Sequence, residues 1–195
     1  DDLLIKITAH NRGPEAAGLH VLPQLWFRNT WSWKPDSVRP ALAALRDNAI
    51  LASHLELGDY ELECDGAPEL LFCDNVTNAR RLYGQADAAG FFKDGINDAV
   101  VQGNRDAVNP ARTGTKAAAH YTLVVPAHGS VSLRLRLRPV ATNDSESKAT
   151  VSRPAFADFD AIFAARLSEA DAFYAGLQRD LADADARLVQ RQALA

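Results

Sequence analysis

Apolar and polar residues alternate along most of residues 1–138, which is the pattern of half-buried β-strands. Turn-forming sequences at residues 11–14, 58–59 and 126–129 separate neighbouring runs. We therefore predict three hairpins, one across each of these turns. The predicted strands are residues 3–9, 17–27, 50–57, 60–64, 69–73, 118–125 and 130–137.

The period changes after a polar segment. From residue 156, apolar residues recur every three or four positions, as in an amphipathic helix. Asp158 or Asp160 suits the start of that helix, and Asp183 suits the start of a second one. The sequence thus predicts a mainly β fold, with an antiparallel β-sandwich over 1–138, a polar linker over 139–155 and C-terminal linker helices over 156–195.

Two long segments show neither the alternation of strands nor the helical repeat of three or four residues. Residues 34–48 are predicted to be a loop. Residues 75–116 are rich in Gly, Asn and Asp, with one short helical turn predicted at 77–83. Because long loops in compact domains are usually functional or disordered, and Phe91 and Phe92 argue against disorder, the second segment is a candidate functional loop.

Composition narrows the possible partners. The net charge of -4 argues against nucleic acid as a partner. The basic run Arg134, Arg136 and Arg138 alternates with leucines, which predicts the solvated face of a strand whose leucine face is buried. The sequence has no apolar stretch of membrane-spanning length, so we expect no membrane partner. Two cysteines, Cys64 and Cys73, favour a reducing compartment, so we expect a cytoplasmic location.

The two ends of the chain suggest a piece of a longer polypeptide. The sequence begins inside a strand pattern, ends inside a helical pattern without a stop signal, and contains no methionine. We therefore expect the first strands of the sandwich, and any catalytic chemistry, to lie outside these 195 residues.

The aromatic run at residues 19–33 contains all three tryptophans, with Arg28 between two of them. Flat rings beside guanidinium, amide and hydroxyl groups suit a surface that grips a sugar. A buried aromatic corner at the end of a core strand would produce the same pattern. Both interpretations remain open for Trp31 and Trp33.

Carboxylates cluster in the candidate functional loop. Asp94 and Asp98 could face each other across a sugar, as a glycosidase requires. The cations Lys93, Arg105 and Arg112 are interleaved with them, which favours mutual ion pairing instead.

Other chemical signatures are missing from the sequence. It has no nucleophile-elbow or phosphate-loop motif, and its five histidines lack metal-binding spacing. His20 and His120 lie in predicted strands and are expected to be structural. We therefore predict no metal and no cofactor.

Five motifs, in order, resemble the amino-terminal region of large bacterial glucosidase-like proteins. These proteins form glycoside hydrolase family 63 and the related mannosylglycerate-hydrolase-like group. The resemblance covers nearly the whole chain except the linker. The motifs are LHVLPQLWFRNTWSW, GAPELLFCDNVTNARRLYG, FFKDGINDAVVQG, VNPARTGTKAAAHY and FADFDAIFAARLSEADAFYAGL.

The resemblance implies a supersandwich of the galactose-mutarotase-like type, then linker helices, then an (α/α)6 barrel. That barrel would begin just past Ala195 and would carry the general-acid Asp and general-base Glu of an inverting mechanism on a carbohydrate substrate. No catalytic residue of the family falls in this segment. The residues expected to meet the barrel or the sugar are Arg28, Trp31, Trp33, Lys93, Asp94, Asn97 and Asp98.

Three functions follow as expectations. The first is a non-catalytic sandwich domain that supports, and could close, the sugar pocket of a glycoside hydrolase. The second is an autonomous carbohydrate-binding module. The third is an enzyme similar to aldose epimerases, in which His20 or His120 would converge with Glu61 or Glu63.

Overall fold

The computed structural model describes residues 2–33, 36–140 and 154–194. The chain divides into two compact units, residues 1–150 and residues 151–195. The first unit is mainly β and the second is helical, as the alternation and the later helical period predict. Most of the predicted linker, residues 141–153, lies outside the described residues.

The strands described in the first unit pair antiparallel in two sheets. They are β1 (Leu3–His10), β2 (Ala17–Val21), β3 (Gln24–Trp26), β4 (Ala41–Arg46), β5 (Ala49–His54), β6 (Gly58–Cys64), β7 (Glu69–Cys73), β8 (Thr113–Gly114), β9 (Lys116–Val125) and β10 (Ser130–Pro139). The six-stranded sheet has the order β1-β10-β6-β5-β4-β8. The second sheet is built on β9, which pairs with β2, β3 and β7.

Two connections cross from one sheet to the other where the sequence predicts hairpins. β1 pairs with β10, and β2 pairs with β9, so the predicted hairpins across residues 11–14 and 126–129 are wrong. A half-buried strand alternates in the same way whether its chain neighbour joins its own sheet or another one. The third hairpin, β5 with β6, is confirmed, although its turn lies at residues 55–57 rather than 58–59.

Proline divides the predicted strand 17–27 in two. Pro23 has no N–H to donate, so the strand breaks into β2 and β3. Its carbonyl still accepts the Ala119 N–H at 3.0 Å, so both pieces follow β9. β7 pairs with the same stretch of β9 as β3 does, and it therefore lies along the opposite edge of β9.

The predicted loop 34–48 contains a strand that the sequence analysis missed. β4 pairs with β5, with a register shift between Ala44 and Arg46. Alanine has low β-propensity, so the sequence ALAALR gives little strand signal until tertiary pairing fixes it.

The main apolar core takes side chains from both sheets. The leucine face of β10 is buried, as predicted, with Leu135 only 1% exposed. The other fully buried members include Leu42 and Ile50 from the six-stranded sheet and Phe72 and Ala117 from the second sheet.

The arginine face of β10 is ion-paired rather than simply solvated. Arg134 Nε donates to Asp65 at 2.7 Å, and Arg136 pairs with Asp2. Arg138 pairs with Glu61 and Glu63, two carboxylates that Arg46 also contacts. Cross-strand charge pairing therefore accounts for the alternation of arginine and leucine in β10. Glu61 and Glu63 belong to this set of ion pairs.

The segment 75–116 has more structure than predicted. It contains α1 (Ala79–Tyr83), α2 (Gly95–Val101), a 3-10 turn (Arg105–Ala107) and β8. α2 packs on β7 through a second apolar cluster that includes Leu71, Ile96 and Ala99. The predicted helical turn at 77–83 is confirmed as α1, whereas α2 and β8 were missed.

The second unit contains α3 (Phe159–Leu177) and α4 (Ala184–Leu194). The predicted cap of the second helix is confirmed, because the Asp183 carboxylate accepts the N–H groups of Asp185 and Ala186 at 3.3 Å. Arg191 connects the helices by pairing with Asp171 at 2.6 Å and by lying over the Tyr174 ring.

The cysteines lie in different sheets and are not bridged. Cys64 is in β6 and Cys73 in β7, and both thiols are free and buried. Burial raises the pKa of Cys64 to about 11 and that of Cys73 to about 12, so both stay protonated at neutral pH.

Candidate functional site

The candidate contact residues are carried by loops that leave one end of the second sheet. Trp26, the last residue of β3, lies opposite Lys116, the first residue of β9. Cys73, the last residue of β7, lies opposite the same lysine. The segment after β3 and the segment after β7 therefore start side by side.

Asn75, in the segment after β7, connects the two segments by hydrogen bonds. Its side-chain Nδ2 donates to the Phe27 carbonyl at 2.9 Å, and its backbone N–H donates to Thr115 Oγ1 at 2.8 Å. Thr115 is buried, and its backbone also bonds to both segments, through Phe27 N–H and the Cys73 carbonyl. The end of the sheet is thus a hydrogen-bonded platform rather than a pair of independent loops.

Residues 28–33, the aromatic loop, present cation–aromatic pairs. Trp33 is 62% exposed, and the Arg28 guanidinium carbon lies 5.0 Å from its ring centroid. Trp31 is half-buried, with the Arg39 guanidinium carbon 5.6 Å from its ring. Trp26 is also exposed, so a fully buried aromatic corner does not describe these tryptophans.

Residues 93–98, the acidic segment, are held by an arginine that the sequence analysis missed. Arg81 of α1 pairs with both Asp94 and Asp98. Asn78 donates to Asp94 at 3.1 Å, and Asn97 is exposed beside them. The two carboxylates are therefore joined by one cation instead of facing each other across a gap.

The charge state of this cluster follows from its contacts. The hydrogen bond from Arg81 holds the pKa of Asp98 below its usual range, with a smaller contribution from Asn97. The same bond raises the pKa of Arg81. Both partners therefore remain charged at neutral pH.

The cations interleaved with these aspartates pair elsewhere. Lys93 donates to Thr77 Oγ1 at 3.1 Å, Arg105 pairs with Glu69 at 2.8 Å, and Arg112 pairs with Asp47 at 3.1 Å. Ion pairing in this loop was predicted, but with the wrong cations. Lys93 is next to Asp94 in sequence yet bonds to Thr77, whereas Arg81 of α1 contacts both aspartates.

A second cluster crosses three strands of the same second sheet, β2, β9 and β7. His20 Nδ1 and His120 Nε2 lie 2.7 Å apart, and His120 Nδ1 lies 3.5 Å from Glu69 Oε2. An ionised carboxylate only accepts, so a neutral His120 that donates to Glu69 from Nδ1 would accept from His20 at Nε2. His20, at the end of this chain of contacts, is exposed. The expected partners Glu61 and Glu63 are absent from this cluster, because they lie in the six-stranded sheet.

Within the described ranges, no three His, Cys, Asp or Glu side chains converge as ligands for a metal ion. The helices described in the structure are all too short or too polar to cross a lipid bilayer.

Comparison with known proteins gives one relative. The chain is similar to the uncharacterized protein YMR196W of Saccharomyces cerevisiae, with 33% identity over 227 residues. That match covers 98% of this chain and 20% of the yeast protein. No family model matches the chain, and no solved structure matches it. The chain therefore spans about one fifth of the length of the curated relative it matches.

Proposed function

We propose that this chain is a non-catalytic sandwich domain of a larger, cytoplasmic bacterial glycoside hydrolase. The glucosidase-like activity would reside in an (α/α)6 barrel of the same polypeptide, with an Asp/Glu pair acting in an inverting mechanism. The domain would support the barrel and contribute to closing the sugar pocket. The proposal extends the resemblance to family 63 and the mannosylglycerate-hydrolase-like group.

The observation that carries the proposal is the exposed aromatic loop on a rigid platform. Trp33 projects from a loop whose base is fixed by Asn75 and Thr115, and Arg28 covers its ring. Exposed tryptophan and arginine side chains on a fixed support are typical of protein interfaces and sugar-binding surfaces. Either use would place this end of the sheet against a barrel or its substrate.

The acidic segment supports a contact role over catalysis. A glycosidase general acid needs a raised pKa, so that it holds a proton near neutral pH. Arg81 instead lowers the pKa of Asp98 and also pairs with Asp94. This favours placing the acid and base of the reaction elsewhere in the polypeptide.

The sandwich arrangement has support from the topology. Both β1–β2 and β9–β10 cross between the sheets, and the main core takes side chains from each sheet. Two sheets joined by paired crossings around a shared core are typical of sandwiches.

A yeast relative about five times longer than this chain is compatible with a domain of a larger protein. The buried free cysteines fit a reducing cytoplasm.

The test uses the full-length gene product, assayed on α-glucosides and on mannosyl- and glucosylglycerate. We expect Trp33→Ala to lower kcat/KM at least about tenfold, the size typical of losing an interface tryptophan. Trp26→Ala is the matched control, since Trp26 is exposed on β3 outside the loop. Lower thermal stability with the loss would indicate domain docking. A raised KM at unchanged stability would indicate sugar contact, and a full-length protein inactive on every glycoside would contradict the proposal.

The histidine cluster favours a second candidate, an enzyme similar to aldose epimerases. Such a reaction needs an acid/base pair, and Glu69, His120 and His20 form a chain of contacts that ends at an exposed histidine, His20. Polarimetry of freshly dissolved glucose would detect accelerated anomer interconversion. His120→Asn should abolish it while His10→Asn should not; no acceleration by the wild type would remove this candidate.

A further inference from the structure

A cleft of about 360 Å³ lies where the segment before β4 meets the end of β7 and the start of β8. Apart from the buried Thr115, its polar lining comes from three separate parts of the chain: Arg39, Asp74, and the pair Asn109 and Thr113. The volume falls within the range of small-molecule sites, about 300–1,000 Å³. None of these four residues was singled out from the sequence.

The charges in the cleft balance each other. Arg39 pairs with Asp74, and their side chains remain 46% and 27% exposed, so each keeps donors or acceptors directed to solvent. The Thr113 hydroxyl oxygen accepts from Asn109 Nδ2 at 3.1 Å, which leaves its hydrogen as a donor. Asn109 Nδ2 also donates to the Thr113 carbonyl at 2.8 Å. The cleft thus offers donors and acceptors together without net charge.

The remaining lining is apolar and fixed. Pro40 and Leu42 are buried beneath the cleft, and Ala43 is half-buried beside them. Gly114 packs so closely on β7 that a Cβ there would lie 2.2 Å from the Cys73 carbonyl oxygen. The position of β8 against β7 is therefore set by direct backbone contact, which fixes this side of the cleft.

We propose that this cleft binds one unit of a neutral saccharide. The Asp74 carboxylate accepts from, and the Arg39 guanidinium donates to, neighbouring sugar hydroxyls. The C–H face of the ring packs on Ala41 and Ala43, the accessible part of the apolar lining. Carboxylate and guanidinium together match vicinal hydroxyls, each of which both donates and accepts.

Two other ligand classes fit less well. Asp74 repels a phosphate or carboxylate that would otherwise bind Arg39. A peptide that added a strand to the sheet would need a longer edge than the two residues of β8. The inference does not depend on the proposed glycosidase activity, because the cleft residues belong to this chain alone.

The experiment is calorimetric titration of the full-length gene product with maltose and α-mannobiose, and with inorganic phosphate as the anionic probe. We expect Asp74→Asn to weaken binding of one of the saccharides about tenfold, with no binding of phosphate. Asp47→Asn is the matched control: Asp47 also pairs with an arginine, Arg112, but does not line this cleft. Circular dichroism would establish that both variants are folded.

The outcomes separate this inference from the proposed function. Saccharide binding reduced in Asp74→Asn and retained in Asp47→Asn supports the cleft, even if the protein hydrolyses no glycoside. Equal saccharide affinity in both variants, or no saccharide binding at all, overturns the cleft while leaving glycosidase activity to be judged by its own assay. Phosphate binding that strengthens in Asp74→Asn would instead identify an anion site.

Discussion

The aromatic loop and the acidic segment extend from the same end of the second sheet, yet they differ in where their side chains find partners. The aspartates are paired within the domain, whereas the tryptophan is exposed. Asp94 and Asp98 are bound within the domain by Arg81, and α2 buries Ile96 and Ala99 against β7. Trp33, in contrast, remains mostly exposed. The difference indicates that the acidic segment builds the end of the domain, whereas the aromatic loop is available to something outside it.

Of the changes within these two regions, the largest expected effect comes from displacing α2. A Cβ on Gly95 would lie 2.1 Å from the Ala107 carbonyl oxygen, so Gly95→Ala must displace either α2 or the 3-10 turn. We expect a loss of about 2 kcal/mol or more in the free energy of unfolding, the cost of overpacking a rigid contact. Urea denaturation measures it. Gly18→Ala is the control, since nothing lies within 4 Å of a Cβ there. Equal stability of the two variants would show that the contact between Gly95 and Ala107 yields without cost.

The next effect comes from removing the shared cation. Arg81→Ala leaves two neighbouring carboxylates, one of them the buried Asp98, without their main partner. We expect a clear loss of stability at neutral pH and a smaller loss for Arg80→Ala, whose guanidinium contacts only the Ala86 carbonyl among the bonds described. Thermal unfolding of the two variants compares them directly.

The pH dependence of Arg81→Ala has a definite sign. The folded-state pKa of Asp98 is below its ordinary value of 3.8, so the stability that this pair contributes is complete above that pH and is lost as pH falls through the folded value. The gap between wild type and Arg81→Ala should therefore be widest near neutral pH and close in acid. A gap that stays constant with pH would show that Arg81 acts by packing alone.

The contrast between the two regions also shows which features the sequence alone could predict. Local signals predicted local structure: the buried leucines of β10 and the Asp183 cap depend only on near neighbours. The partner of Asp94 and Asp98 depends on how α1 approaches α2, which no spacing along the chain encodes. Alternation in β9 and β10 likewise predicted strands but not the sheet that each would join.

The candidate contact residues also divide into those that residue type predicts and those that only the folded chain brings together. Arg28 and Trp33 were predicted from residue type and do form one exposed group. Arg39 and Asp74 were missed because one precedes an alanine-rich strand and the other follows a buried one, and only the folded chain brings them together. The same holds for Glu69 with His120, which are directly opposite across β7 and β9.

The smallest expected effect on stability belongs to the aromatic loop, and it sharpens the comparison most. Trp33→Ala should change the free energy of unfolding of the chain by only about 0.5–1 kcal/mol, because an exposed cation–π contact with Arg28 is what the ring provides. Phe72→Ala, in the buried core, should cost about 3–5 kcal/mol by the same urea measurement. A cost for Trp33→Ala near that of Phe72→Ala would mean that the loop is part of the fold. A small cost, together with a large loss of activity in the full-length protein, would mean that Trp33 is retained for a surface outside this domain.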